Sequence, residues 1–214
     1  YFAATQQGQI KRFERKELSP WRTYRSKSTK YAKLKEQEDR IVAVAPVVLE
    51  DIMIITKNGY GLRFNIEEVP VVGAKAAGVK AINLKDGDQV AAAFKSTAPS
   101  MYILTQRGSL KRMLQDDIPV TSRAKRGLQV LRELKSKPHR VFKAGPVFTD
   151  QGDFDLFTSQ EEVAEQDQIL QITSTTGQVT EVDLTQLSLS ERTSNGSFVN
   201  DQISDQEVFT ARIK

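Results

Sequence analysis

Cysteine is absent from the 214 residues, which excludes a disulfide framework and any thiolate metal site and fits a reducing compartment. Histidine is nearly absent: His139, in the loop KSKPHR, stands alone, so a multi-histidine metal centre is excluded and any Ser-His or metal-histidine arrangement would rest on that one residue, a weak basis for catalysis. The longest apolar run, IVAVAPVVL from Ile41 to Leu49, is far too short to span a bilayer. With no charged-then-apolar leader at the start, the expected location is the cytoplasm. No phosphate-binding glycine loop of the P-loop or dinucleotide type occurs, since TKNGYGLRF is a hairpin turn and not a strand-to-helix junction. Helical periodicity is missing as well, EEVAEQDQ being at most a short surface turn. The expectation is a domain with no catalytic residue, no metal and no cofactor of its own. Opening without methionine, inside the strand-like YFAAT, the chain reads as a fragment of a longer protein.

What is present is charge, unevenly spread. The net value of +4 conceals a split: residues 1–50 carry +5, residues 51–100 carry +1, residues 101–147 carry +8 and residues 148–214 carry −10. One surface is expected to attract polyanions and another to repel them. The acids of 148–168 lack the ordered spacing and glycine of a calcium loop and read as a solvated insert.

A repeat underlies the charge pattern. Four segments pair an apolar strand with a glycine turn and a second strand: FAATQQGQIKRF, IMIITKNGYGLRF, MYILTQRGSLKRM and LQITSTTGQVTEV. Their glycines, Gly8, Gly59, Gly108 and Gly177, sit where a tight hairpin needs positive φ. Thr5, Thr56 and Thr105 precede the first three by three positions, and Arg12, Arg63 and Arg112 follow by four; the fourth unit has Ser174 and Glu181 instead. Apolar positions recur at Leu34, Leu84, Leu134 and Ile203, and again at Ile41, Val90, Val141 and Val208. Each unit is therefore expected to hold a hairpin, a loop of about 15 residues and two more strands. Glycine-to-glycine spacings of 51, 49 and 69 place the units at about 1–50, 51–100, 101–168 and 169–214, the third carrying the acidic insert at 148–168. A four-stranded unit cannot cover both of its faces alone, so the expected fold is all-β, a single propeller-like disk of antiparallel blades over 1–214.

Basic residues concentrate in the loop after each hairpin. Unit one offers Arg22, Arg25, Lys27, Lys30 and Lys33 among Trp21, Tyr24 and Tyr31; unit two offers Lys75 and Lys80 among glycines and alanines; unit three offers Arg123, Lys125, Arg126 and Arg132; unit four offers Arg192 beside Glu191. Loops at equivalent positions project from one rim, and a cationic rim suits the phosphates of duplex DNA. The first-rank candidates are Arg22, Arg25, Lys27, Lys30, Lys75, Lys80, Arg123, Lys125, Arg126 and Arg132. A second rank sits on the hairpins, Lys11, Arg12, Arg63, Lys111 and Arg112, where edge lysines also serve to block aggregation. Nothing resembles a base-reading element, so binding is expected to ignore sequence. Two competing readings are a protein-interaction scaffold whose rim charges only solubilise, and a single-stranded RNA binder using exposed aromatics.

The T-x-x-G hairpins and the run GVKAINLKDGDQV from Gly78 to Val90 resemble the C-terminal β-pinwheel domain of bacterial type IIA topoisomerase A subunits, over essentially the whole chain. The resemblance implies a disk whose basic rim bends or steers DNA toward the gates of the enzyme. It also implies that the cleaving tyrosine, and the ATP and magnesium of the parent enzyme, belong to other domains. The partners implied are duplex DNA, the ATPase B subunit, plus the catalytic core of the same A subunit, in the bacterial cytoplasm on the chromosome. The gyrase branch carries a Q-R-R-G-G-K-G box for wrapping DNA; here the nearest strings are GAKAAGVK from Gly73 and SRAKRGL from Ser122. That departure favours the topoisomerase IV branch, with a part in decatenation and supercoil relaxation, over the gyrase alternative. Disks of this family usually have five or six blades, against the four units legible here.

Overall fold

The computed structural model describes residues 1–18, 32–35, 37–73, 75–148, 168–199 and 208–213. Arg22, Arg25, Lys27 and Lys30, and the acidic stretch 149–167, lie outside the described residues.

Each unit begins with a hairpin: β1 (Phe2–Thr5) with β2 (Gln9–Arg12), β4 (Asp51–Thr56) with β5 (Tyr60–Asn65), β8 (Ser100–Thr105) with β9 (Ser109–Leu114), and β12 (Ile169–Ser174) with β13 (Val179–Asp183). The T-x-x-G signature is explained by the turn. The glycine N–H donates to the threonine carbonyl at 3.0 Å in the first three units and to that of Ser174 at 2.9 Å in the fourth. The next N–H, of Gln9, Tyr60, Ser109 or Gln178, donates to the hydroxyl of the same Thr or Ser at 3.1–3.2 Å. One buried side chain thus closes each turn, and the glycines take φ between 76° and 82°, a region L side chains avoid.

A later strand of the same unit adds to the first hairpin strand: β3 (Ile41–Ala45), β7 (Val90–Lys95), β11 (Val141–Val147) and β15 (Val208–Ile213). The remaining strand of each blade is not where the apolar periodicity put it. Leu34, Leu84 and Leu134 lie outside strands, and Ile203 lies outside the described residues. Leu84 instead approaches the Gly8 turn of the neighbouring blade, its Cδ1 standing 3.3 Å from where a Cβ on Gly8 would sit.

The missing strand lies inside the basic loop and belongs spatially to the preceding blade. Short strands β6 (Val79–Lys80), β10 (Leu128–Gln129) and β14 (Ser197–Phe198) pair with β2, β5 and β9 respectively. Each follows a glycine placed 19 residues after the hairpin glycine of its own unit, namely Gly78, Gly127 and Gly196. A Cβ on these would stand 2.3–2.4 Å from the carbonyl oxygen of Ile10, Gly61 or Leu110, so only glycine lets the donated strand settle on the hairpin. Among the described residues, three sheets of four strands and one of three result.

Strand exchange is reinforced by three backbone hydrogen bonds that recur at every described junction. Val72, Thr121 and Ser190 donate to the carbonyls of Arg12, Arg63 and Arg112; Ala81, Val130 and Val199 to those of Gly8, Gly59 and Gly108; Val90, Val141 and Val208 to those of Gln6, Lys57 and Gln106. The apolar core lies between blades. Ile52 and Ile54 of β4 face blade one, in a cluster with Phe2, Ile10, Phe64 and Ile82. Met53 and Ile55, the alternate residues, face blade three with Met101, Ile103 and Met113. Tyr102, Leu104 and Leu110 then meet Leu170, Ile172 and Leu184 of blade four. Burial on both faces is why these strands read as unbroken apolar runs, and each such side chain is worth about 1.5–3 kcal/mol. Inner strands β3, β7 and β11 run side by side, leaving the donated strands and their loops outermost in the sheets. No helix among the described residues is long and apolar enough to cross a membrane.

Candidate nucleic-acid interface

The loops of units two and three are joined edge to edge. Asn83 N–H donates to the Lys125 carbonyl at 2.8 Å and Ala124 N–H to the Ala81 carbonyl at 2.7 Å. Arg123 bridges the same loops, its Nη1 donating to the Lys80 carbonyl at 3.0 Å and its Nε to the Glu68 carbonyl at 3.1 Å. Glu68 Oε2 accepts from the Arg123 backbone N–H at 3.0 Å. Arg123 is therefore as much a brace as a surface cation.

Around that joint the exposed cations gather. Lys80 is exposed and reaches the Asn83 side chain at 3.1 Å. Exposed Lys125 caps its own loop through Thr121 Oγ1 at 2.6 Å. Arg126 places its guanidinium 5.4 Å from the Tyr60 ring centre, and Lys85 places its ammonium 5.0 Å from the same centre. Such cation–ring contacts at exposed sites contribute about 0.5–1 kcal/mol and fix the direction of otherwise free side chains. Lys85 and Tyr60 escaped the sequence reading because Lys85 lies past the loop, in a stretch read as strand, and Tyr60 opens β5; the charged, turn-forming KDGD was the available signal.

Lys75 is exposed in the loop of unit two. Arg132 is exposed too, but its N–H is tied to Asn195 Oδ1 at 2.8 Å, at the next junction. There Arg192 turns inward, its Nη1 donating to the Gln129 carbonyl at 2.6 Å. The basic surface thus joins loops two and three and thins toward loop four, beside the acid Glu191.

The second-rank residues have other work. Arg12 Nε donates to the Val69 carbonyl at 2.6 Å. Arg63 pairs with Asp51 at 3.2 Å and with Asp116 of the next unit at 2.7 Å. Arg112 donates to the carbonyls of Thr185 at 2.7 Å and Leu187 at 3.3 Å. All three fasten a hairpin to the short helical turn (Ile66–Glu68, Gln115–Asp117 or Leu184–Gln186) that follows the hairpin of the next blade, and Glu181 at the equivalent place in unit four pairs with Gln171 at 2.9 Å within its own hairpin. Lys11 and Lys111 are each only 2% exposed, with ammonium groups directed at carbonyls, not at solvent. Burial withdraws these two from any set of phosphate contacts.

His139, 6% exposed, closes the third hairpin: its Nδ1 lies 3.1 Å from Thr105 Oγ1 and its Nε2 3.2 Å from Arg107 Nη1. Burial, with Arg107 beside it, lowers its pKa. At the corresponding point of the first two units stand Asp39 and Asp88, whose carboxylates accept from Gln7 and Arg40, and from Asn58 and Gln89. The lone histidine is a turn-capping residue. Among the described residues no group of three or more His, Cys, Asp or Glu is placed to hold a metal ion.

Strand-exchanged blades with an outward cationic loop define a class, and comparison with known proteins agrees. The family described as "DNA gyrase C-terminal domain, beta-propeller" matches residues 1–47, 50–97 and 100–147, and the chain belongs to that family. Among curated relatives, the A subunit of DNA topoisomerase 4 from Streptococcus pyogenes is 62% identical over 216 residues, covering 100% of this chain and 26% of the relative. The same-named protein of Streptococcus pneumoniae is 61% identical over 214 residues, again with 100% and 26% covered. A crystal structure of the C-terminal domain of DNA topoisomerase IV superposes with a TM-score of 0.81 at 31% identity, covering 99% of this chain and 61% of that one. The expected pinwheel and the expected resemblance to topoisomerase A subunits both hold, and the chain spans about a quarter of the length of these relatives.

Proposed function

We propose that this chain is a non-catalytic duplex-DNA guide, gripping phosphates without regard to sequence through the joined loops of blades two and three. The observation that carries the reading is the Asn83–Lys125 and Ala81–Ala124 pairing, which holds Lys80, Lys125, Arg126 and Lys85 on one connected surface. Lys75 extends the surface along loop two, and Arg132 lies toward loop four. Duplex DNA carries about one charge per 1.7 Å, so several fixed cations displace as many condensed counterions.

In the full-length protein this guide presents a duplex to the cleaving core of the same A subunit, with an ATPase B subunit as the further partner. It acts in decatenation and supercoil relaxation on the bacterial chromosome in the cytoplasm. ATP and magnesium serve those other parts. The absence of the wrapping box, together with the acidic residues of unit four, favours steering across part of the rim over full gyrase-like wrapping.

Charge reversal tests the reading. Lys80→Glu, Lys125→Glu and Arg126→Glu together change three exposed side chains, and are expected to weaken duplex binding by at least about tenfold, or 1.4 kcal/mol. In the intact enzyme the same changes are expected to slow unlinking of catenated DNA. Unchanged binding in the folded triple variant argues for the interaction-scaffold reading, with the rim charges serving solubility.

A further inference from the structure

Two buried lysines, used neither for catalysis nor as surface charge, occupy one position of the repeat. Lys11 and Lys111 each lie three residues after their hairpin glycine and are 2% exposed. Lys111 Nζ donates toward four carbonyls: Val130 and Arg192 at 2.6 Å, Ser194 at 3.0 Å and Glu191 at 3.4 Å. Lys11 Nζ reaches the carbonyls of Gly73 and Ala76, both at 3.3 Å. Gly73 and Glu191 hold equivalent places in their units, as do Ala76 and Ser194. The same device is therefore built twice, an ammonium from one blade set into the bend of the next blade's outer loop.

The middle junction is built differently, which shows what the lysine does. There the position is Leu62, 1% exposed, and the loop of unit three is held by its backbone bonds to unit two and by Arg123. It also contains Ala124 at φ 64°. A loop without an ammonium beneath it is thus anchored to its neighbour, while a loop with one is gathered around a point of positive charge. Placing an ammonium out of water is costly and is sustained only by full use of its donors. Burial, and then Arg192, bring the Lys111 pKa down to about 8, Asp117 opposing; burial likewise lowers that of Lys11, with Glu17 opposing. Retaining a lysine under that penalty, where leucine fits at Leu62, points to a demand from the loop.

We propose that Lys11 and Lys111 are positioning residues: each holds the outer loop of the following blade, 75–78 or 190–196, in shape, and Lys11 thereby sets where the exposed Lys75 meets the DNA backbone. The inference rests on the duplex-guide reading for its consequence, but the loop ordering itself is independent of DNA.

The test uses Lys11→Leu and Lys111→Leu in the 214-residue chain, copying the natural leucine of the middle junction. Amide hydrogen exchange and duplex affinity across a salt series are measured for each. The expected result is exchange faster by about tenfold, equivalent to about 1.4 kcal/mol, in 75–78 for the first variant and 190–196 for the second, with β4 and β8 unchanged. Duplex affinity falls by roughly threefold to tenfold for Lys11→Leu, through Lys75, and by less for Lys111→Leu. Its salt slope stays the same, because a buried ammonium neutralises no phosphate. Loop exchange equal to that of the unaltered chain overturns the proposal. So does a salt slope smaller by about one with loop exchange unchanged, the mark of direct phosphate contact. Should Lys111→Leu not fold, Lys11→Leu, whose bonds to the Gly73 and Ala76 carbonyls are longer, decides the matter alone. If the unaltered chain binds no duplex, the guide reading fails while the exchange comparison still judges the positioning role.

Discussion

The backbone N–H of Asn83 donates to the carbonyl of Lys125 at 2.8 Å, and with the neighbouring bond from Ala124 to Ala81 it joins the basic loops of two blades whose hairpins lie 49 residues apart in sequence. Its consequence is that cations from different repeats act as one surface. The neighbouring bond requires Ala124 at φ 64°, a region that costs an alanine roughly 1–2 kcal/mol. Ala124→Gly is expected to leave stability unchanged or raise it by up to about 1 kcal/mol, since relief of strain outweighs the added freedom of the unfolded chain. Urea unfolding checks the sign; a loss of more than about 1 kcal/mol contradicts it.

The opposite substitution should be severe at the glycines before the donated strands. A Cβ at Gly127 stands 2.3 Å from the Gly61 carbonyl oxygen, with φ at +82°. Gly127→Ala is expected to cost about 3 kcal/mol or more, by displacing β10 from β5. Thermal unfolding reports it, as does loss of exchange protection at the β5 edge.

Arg63 separates interior from surface pairing. Its side chain and that of Asp51 are 17% and 19% exposed, whereas Asp116 is 89% exposed. Arg63→Met should destabilise by about 1–3 kcal/mol, because the Asp51 carboxylate loses its partner in a half-buried site. Asp116→Ala should cost less than about 1 kcal/mol, as exposed pairs do. Equal effects from the two substitutions are inconsistent with the arginine acting as a junction fastener.

Acid should loosen the third hairpin selectively. The folded-state pKa of His139 lies below its usual 6.5, so between the two values the unfolded chain binds the proton and the folded chain does not. Stability from this group is complete above about pH 6.5 and is lost as pH falls through the depressed pKa. His139→Gln, which has no charge to gain, should flatten that part of the stability profile between about pH 7 and 5. A profile unchanged by the substitution contradicts the assignment.

The fold was largely legible in the sequence, because the hairpin is a local structure: Thr5, Gly8 and their counterparts need only one another to close a turn. Strand exchange was not, because β6, β10 and β14 have two residues each, too few for any periodicity, and their partners lie in another repeat. The regular 19-residue step to Gly78, Gly127 and Gly196 was the available sign. For the site, exposed Lys75, Lys80, Lys125, Arg126 and Arg132 lay where loop charge placed them. Lys11 and Lys111 did not, since a lysine carries the same letter whether it faces phosphate or a carbonyl cradle, and only packing tells the two apart. Lys85 joins the surface through Tyr60, a contact between a hairpin and a distant loop that spacing along the chain does not encode.

The most direct measurement is the affinity of this chain for a short duplex across a salt series. With Lys75, Lys80, Lys85, Lys125 and Arg126 at phosphates, log affinity should fall against log salt with a slope of about −4 to −5, and by the same amount for duplexes of unrelated sequence. A slope near zero, or no binding at low salt, contradicts the account.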